Sequence, residues 1–254
     1  HQIGWKILGA VLWKLGKKNE SLNICQKSLQ LAPNDSEAHN NLGVILQQLD
    51  RLSEAEASFR QAISLKPNYT EAHINLGMVK YSTGNKVKAR NLWEKSIDIK
   101  TDDNDSKAIN NIANLYKEEK NYDKAIEHYR LAVKNDPMNS MYMNNLAGTL
   151  RLKGELDQAL EVLQNSLKSN NLGMGTYFNL GLVYKDLKEN EKALDSFKKS
   201  IQVNSSLTEA YYQIAQIHLI LKNRDEALKF IEKAIEFSPN NLIYQKSKNK
   251  ILNS

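Results

Sequence analysis

Residues 36–69 read SEAHNNLGVILQQLDRLSEAEASFRQAISLKPNY, and this stretch decides the fold. Leu42 and Phe59 lie on the apolar stripes of two amphipathic segments. Pro67 ends the second segment, because a proline disfavours helical backbone at the residue before it. The stretch therefore predicts two α-helices, at about 36–49 and about 53–65, that pack on each other across a short turn.

The same pattern recurs along the chain every 34 residues, with a single interval of 36. The four prolines all fall at the same place in their copies, and the twentieth place is alanine in six of the seven copies. The predicted repeats start at Gln2, Ser36, Thr70, Ser106, Ser140, Met174 and Thr208. Seven repeats then fill residues 2–241, and residues 242–254 are predicted to be a C-terminal capping helix or a partial eighth repeat.

A 34-residue unit of this kind, with Trp5-Lys6-Ile7-Leu8-Gly9 as its closest local match, resembles the tetratricopeptide repeat. The resemblance covers residues 2–241 and implies an all-α fold, a right-handed α-solenoid of helix-turn-helix repeats. It also implies that the first helix of each repeat lines a concave groove. The chain departs from the family pattern at Lys80, where tyrosine is usual, and in three repeats that lack the proline.

Two kinds of glycine position stand out in the repeat. Gly16, Gly84 and Gly154 share the fifteenth place, where a left-handed residue is predicted to end the first helix. The eighth place holds glycine or alanine, which lets the two helices of a repeat approach closely. Two segments disturb the period, and we expect a longer turn at 101–105 and a flexible joint at 170–175.

Composition excludes several classes of protein. Hydrophobic residues make up 41% of the chain, an ordinary globular balance, and the single cysteine, Cys25, excludes an internal disulfide framework. No apolar run is long enough to span a bilayer. The chain begins at His1 and reads as a fragment or a processed form, and its apolar first helix is expected to meet further repeats or a partner.

Catalytic and metal-binding patterns are lacking. We find no phosphate-binding loop and no nucleophile elbow, so we expect neither an enzyme activity nor a cofactor. His39 and His73 share the fourth place of adjacent repeats, which makes a metal pair conceivable. That place is a packing position in other repeats, so packed histidines are the preferred interpretation and no metal is expected.

Amide side chains dominate the sixth place of the repeat, which faces the groove in this family. It holds five asparagines and one glutamine in succession: Asn41, Asn75, Asn111, Asn145, Asn179 and Gln213. The pattern resembles the asparagine ladder in the repeat domain of O-linked N-acetylglucosamine transferase, where such residues hold extended peptides. An amide side chain can pair with both the N–H and the C=O of a peptide group. The alternative is that these side chains bridge adjacent first helices.

Further polar residues are predicted to border the same groove. They are Asn110, Asn114, Asn144, Lys107, Lys117, Arg151 and Lys185. The basic members favour acidic peptides, although a solvated helix edge would explain them equally well. The formal net charge of +6 is modest and comes mostly from lysine, so the sequence gives little support to nucleic acid as a ligand.

The function that the sequence favours is a non-catalytic protein–protein interaction scaffold. It would bind a protein or an extended peptide segment in the concave groove. The main alternative is the substrate-docking arm of a larger enzyme, such as a glycosyltransferase. A third interpretation, an RNA-binding solenoid, requires a stronger basic field and predicts affinity that falls steeply with salt.

Overall fold

The computed structural model describes residues 2–99, 105–168 and 175–253. These residues form fifteen α-helices and contain no β-strand, so the predicted all-α helical repeat solenoid is confirmed. The chain divides into two compact units, residues 1–119 and residues 120–254. The longer turn and the flexible joint expected near 101–105 and 170–175 fall largely outside the described residues.

The first unit consists of three helix pairs and one further helix. Its helices are α1 (Gln2–Lys14), α2 (Lys18–Leu31), α3 (Ser36–Gln48), α4 (Leu52–Leu65), α5 (Thr70–Ser82), α6 (Lys86–Asp98) and α7 (Asp105–Glu118). Each helix packs on the next one in sequence, and the first helices α3 and α5 also contact each other directly. The helices predicted at 36–49 and 53–65 correspond to α3 and α4.

The second unit follows the same plan. Its helices are α8 (Tyr122–Asn135), α9 (Ser140–Lys153), α10 (Leu156–Lys168), α11 (Thr176–Asp186), α12 (Asn190–Val203), α13 (Thr208–Ile220), α14 (Arg224–Phe237) and α15 (Leu242–Leu252). Again each helix packs on its sequence neighbour, and α9 touches α11. Tyr244 and Ile251 of α15 are buried against the preceding pair.

Every first helix is followed by one residue with left-handed backbone. Glycine occupies this position at Gly16, Gly84 and Gly154, with φ values of 75°, 82° and 90°, which confirms the predicted glycine caps. Non-glycine residues adopt the same conformation at the remaining copies of this position: Asp50, Lys120, Lys188 and Lys222, with φ between 58° and 62°. The turn geometry therefore holds in every helix pair, whether or not glycine is present.

Close contact between the two helices of a pair depends on small residues. A Cβ atom on Gly43 would lie 2.6 Å from the Phe59 ring, and one on Gly181 would lie 2.5 Å from the Phe197 ring. Both rings are fully buried. Glycine is thus required where an aromatic ring of the second helix packs directly on the first.

The lysine that departs from the family pattern has an electrostatic partner. Lys80 Nζ on α5 lies 2.6 Å from Glu56 on α4, and both side chains are largely shielded from solvent. The hydrogen bond that Lys80 donates to Glu56 holds the pKa of that carboxyl below its usual value. In the part of the chain that the structure describes, no helix is long and apolar enough to cross a membrane.

Candidate functional site

A cavity of about 210 Å³ opens between α1, α2 and α3 in the first unit. Its wall is mainly apolar, with Trp13 from α1, Cys25 from α2 and Val44 from α3. Polar groups come from Lys14, Ser28 and Asn41. The cavity therefore combines an apolar interior with one cation, one hydroxyl and one of the predicted ladder amides.

A second cavity, of about 260 Å³, lies between α5, α6 and α7 of the same unit. Met78, Tyr81 and Trp93 supply its apolar wall, and the centroids of the Tyr81 and Trp93 rings are 6.1 Å apart. Its polar side is formed by predicted site residues of α7, namely Asn111, Asn114 and Lys117, together with Glu118. Three of the predicted groove residues are thus brought together at one place.

The two cavities occupy equivalent places in the repeat. Trp13 and Tyr81 are 68 residues apart, as are Cys25 and Trp93, which is two repeats of 34. Asn41 and Asn111 are 70 residues apart, because the interval of 36 intervenes. Each cavity therefore places a ladder asparagine of one first helix beside an apolar wall from the preceding pair.

The ladder amides of the first unit differ in whether they are already hydrogen-bonded. Asn75 Nδ2 donates to Asn40 Oδ1 at 3.0 Å, and Asn40 also interacts with Tyr69, whose pKa burial raises to about 12. Within the described residues, the side-chain amides of Asn41 and Asn111 have no hydrogen-bond partner. Both are partly exposed. The two amides that line the cavities are thus the ones left available.

The ladder amides of the second unit are bonded to protein neighbours. Asn179 Nδ2 donates to Asn144 Oδ1 at 3.3 Å, and Asn144 Nδ2 donates to Thr176 Oγ1 at 3.1 Å. Gln213 accepts from Lys185 Nζ at 2.6 Å and donates to Glu209 at 2.7 Å. Here the amides connect successive first helices, as the alternative interpretation of the ladder predicts. A ligand would have to displace these bonds.

The remaining predicted residues have varied surroundings. Asn110 is buried on α7, whereas Lys107 is exposed near the start of the same helix. Asn145 on α9 is partly exposed and already interacts with other groups. Arg151 pairs with Asp186 at 2.7 Å across α9 and α11, which offsets its charge.

Two charged residues define the electrostatics of the second cavity. Burial lowers the pKa of Lys117, because a shielded ammonium loses hydration. Glu118 accepts a hydrogen bond from the Tyr81 hydroxyl and pairs with Lys86 at 2.8 Å. Lys117 already interacts with other groups, and it is the cation in the lining of this cavity.

The histidines considered as a metal pair have structural roles. His39 Nε2 lies 2.8 Å from the Pro33 carbonyl oxygen, and His73 Nε2 lies 2.9 Å from that of Pro67. Each ring thus ties the start of a first helix to the preceding turn. Among the residues that the structure describes, no group of three or more histidine, cysteine or acidic side chains could hold a metal ion.

Sequence profiles of known families match several parts of the chain. Tetratricopeptide repeat profiles match residues 36–69 and residues 7–35 and 208–241. The profile of the TT21 fifth ARM repeats domain matches residues 106–219. The chain therefore carries tetratricopeptide repeats, and repeats of these classes generally form protein–protein interaction scaffolds. No curated protein sequence matches the chain.

Solved structures share the fold at low sequence identity. A chain of the APC/C hetero-tetramer Cut9–Hcn1 is 18% identical with a TM-score of 0.80, and the match covers 96% of this chain and 48% of that one. PilF of Pseudomonas aeruginosa is 19% identical with a TM-score of 0.71, and the match covers 85% and 97%. The chain thus spans about half the length of the first of these relatives.

The sequence analysis missed the apolar part of both cavities. It gave Cys25 no part in a binding site and assigned no role to Trp13, Met78 or Tyr81. One observation could have indicated the first cavity, since Cys25 is the only small residue at its place in seven repeats.

Proposed function

We propose that the chain is a non-catalytic scaffold that binds an extended peptide segment along the first helices of its repeats. The observation that carries this proposal is the pair of unbonded amides, Asn41 and Asn111, each beside an equivalent cavity of the first unit. An amide next to an apolar cavity suits a peptide, which offers a polar backbone and side chains at alternating sides.

The amides are suited to the backbone of the ligand. Asn41 and Asn111 each offer one acceptor and two donor hydrogens, enough to pair with the N–H and C=O of one peptide group. Neighbouring helices pack about 8–10 Å apart, and an extended peptide rises about 3.3 Å per residue. Successive first helices would therefore meet about every third residue of the ligand, in the manner that the resemblance to a ladder implies.

Charge favours a ligand with at least one carboxylate. Lys14 lines the first cavity and Lys117 lines the second, so each cavity holds one ammonium beside its asparagine. A carboxylate near Lys117 would favour the charged form of that lysine, which burial disfavours. The first unit is thus the part of the chain where an acidic peptide is expected to bind.

The experiment selects binding peptides from a random dodecapeptide library on the wild-type chain and measures their affinity for variants. The double variant Asn41→Ala/Asn111→Ala should bind roughly tenfold or more weakly, because each neutral hydrogen bond contributes about 0.5–1.5 kcal/mol. Its thermal stability should stay unchanged, since neither amide is bonded within the described structure.

Asn75→Ala serves as the matched control. This change leaves Asn40 without one partner, and the Asn40 side chain is only 1% exposed. We expect a loss of about 1–3 kcal/mol in stability, with little change in peptide affinity per folded molecule. Unchanged affinity in a folded Asn41→Ala/Asn111→Ala variant would contradict the proposed role of the two amides.

A further inference from the structure

The second helix of each repeat carries a large side chain at one fixed place, with a single exception. The residues at this place are Cys25, Phe59, Trp93, Tyr129, Leu163, Phe197 and Ile231. All the large ones are buried with at most 1% of their surface exposed. Only the first repeat has a small side chain there, so its helix pair lacks the ring or branched aliphatic group that fills the others.

The space that this substitution leaves is open. The thiol of Cys25 lies where a ring lies elsewhere, since a Cβ atom on Gly9 would meet Cys25 Sγ at 3.0 Å, just as one on Gly43 would meet the Phe59 ring. Cys25 forms part of the wall of the first cavity, whose volume is about 210 Å³. The equivalent second cavity has the Trp93 ring at this place, so the first cavity differs from it in having a small thiol side chain in its wall.

A buried hydroxyl at the cavity also lacks a partner. Ser28 lines the cavity with only 2% of its surface exposed, and its Oγ makes no hydrogen bond with any described residue. The serines at the same place in two other repeats, Ser96 and Ser200, donate to the carbonyl oxygens of Trp93 and Phe197 at 2.7 Å. An unpaired buried hydroxyl is costly, so its presence indicates a ligand with a polar atom.

We propose that the first cavity takes an aromatic side chain of the bound peptide, with tyrosine as the best fit. The proposal rests on the proposed function, because Asn41 would hold the peptide backbone at the edge of the same cavity. Phe59 and Trp93 show within this unit that a ring is the group that packs at this place. The tyrosine hydroxyl would then pair with Ser28 Oγ.

The unique cysteine allows a direct test, because alkylation of the chain reports on Cys25 alone. The rate at which iodoacetamide labels the wild-type chain is measured alone and in the presence of each of three compounds. These are p-cresol, a glycine-serine dodecapeptide with one central tyrosine, and the same peptide with alanine in place of tyrosine. We expect p-cresol and the tyrosine peptide to slow labelling and the alanine peptide to leave it unchanged. Equal labelling rates under all conditions would overturn the proposal, and protection by p-cresol alone would overturn a peptide as the source of the ring.

A pair of variants tests whether the empty volume is the cause. Cys25→Ala keeps the cavity open and should retain a roughly tenfold preference for the tyrosine peptide over the alanine peptide, because a buried ring contributes that much or more. Cys25→Phe places a ring in the cavity wall, as Trp93 does in the second cavity, so it should narrow the first cavity and abolish the preference. A folded Cys25→Phe chain that still prefers the tyrosine peptide would contradict the assignment.

The same peptides separate failure of this proposal from failure of the proposed function. If Asn41→Ala/Asn111→Ala weakens both peptides but wild type binds them equally, the amides act as proposed and the aromatic site is wrong. If that double variant binds as wild type does and tyrosine still protects Cys25, the aromatic site stands and the role of the amides is wrong.

Discussion

Lys188 shows at the scale of a residue how firmly the repeat imposes its turn. Its φ of 62° lies in the left-handed region. A residue with a Cβ adopts this conformation at a cost of about 1–2 kcal/mol, whereas glycine adopts it freely. Gly154 adopts the same conformation in the same unit without that cost. The packing of the two helices that flank each turn therefore outweighs the local preference of a lysine.

Replacing this lysine should make the chain more stable. Lys188→Gly is expected to raise the free energy of unfolding by about 0.5–1 kcal/mol, because the strain is removed and only part of the gain is lost to chain entropy. Gly154→Ala, as the matched control, should lower it by a similar amount. Urea unfolding of both variants checks the prediction, and a destabilised Lys188→Gly chain would contradict it.

His73 should make stability depend on pH. Burial lowers its pKa from 6.5, and the side chain is only 1% exposed. The folded state therefore binds a proton less readily than the unfolded state, so stability is full above about pH 6.5 and falls as the pH drops below it. We expect the loss between pH 7 and pH 5 to be smaller in His73→Gln, which has no titrating ring at this position.

Chemical unfolding at both pH values measures this difference. Because every other titrating group is common to the two chains, the comparison isolates His73. An identical pH dependence in wild type and His73→Gln would show that the ring is protonated as easily in the folded state as in the unfolded state.

Residue scale is also where sequence analysis was least complete. Asn75 and Asn179 are bonded because the residues 35 positions earlier, Asn40 and Asn144, offer an acceptor. The apolar Ile74 occupies the corresponding place before Asn111. The sixth place of the repeat alone could not show which asparagines are bonded. Their partner is the residue at the fifth place of the preceding repeat, and that place varies along the chain. The assignment of the amides as binding residues stays a prediction.

At the scale of the element, the packing of a helix pair depends on how closely its two helices approach each other. Gly181→Ala should destabilise the chain by about 1–3 kcal/mol, because the new methyl group would lie 2.5 Å from the Phe197 ring. Gly148→Ala is the control, since a Cβ at that position of α9 would have nothing within 4 Å beyond its chain neighbours and the nearby backbone of its own helix. It should stabilise the chain by about 0.5–1 kcal/mol, because alanine favours helix.

Guanidinium unfolding measures the free energy of unfolding of the two alanine variants relative to wild type. The expected result is a change of opposite sign for the same substitution. If both variants were equally stable, the close approach of α11 and α12 would not require glycine.

At the scale of the whole molecule, the fold class could be predicted because the evidence for it is repeated along the chain. A position that departs from the pattern in some copies, such as the proline missing from three repeats, is compensated by the copies that keep the pattern. The helices at Ser36–Gln48 and Leu52–Leu65 began and ended within about a residue of their predicted limits. The cavities could not be predicted, because they arise from the size of individual side chains where three helices meet.

Net charge gives a prediction for the whole chain. With a formal charge of +6 and one lysine at each cavity, peptide affinity should fall only modestly between about 50 and 200 mM salt. A protein that contacts many phosphates would lose about a thousandfold or more over the same range. Titrations with a selected acidic peptide and with single-stranded RNA check this, and tight, steeply salt-dependent RNA binding would favour the RNA-binding interpretation.

Within each unit, every helix packs mainly on its neighbours in sequence, and this packing has a mechanical consequence. When the ends of such a chain are pulled apart, one pair can come loose while the next remains intact, because few contacts connect distant segments. Each released pair frees about 34 residues, and at about 3.5 Å per extended residue it adds roughly 120 Å of contour. The molecule would thus yield to tension in even steps and re-form from whichever pairs survive.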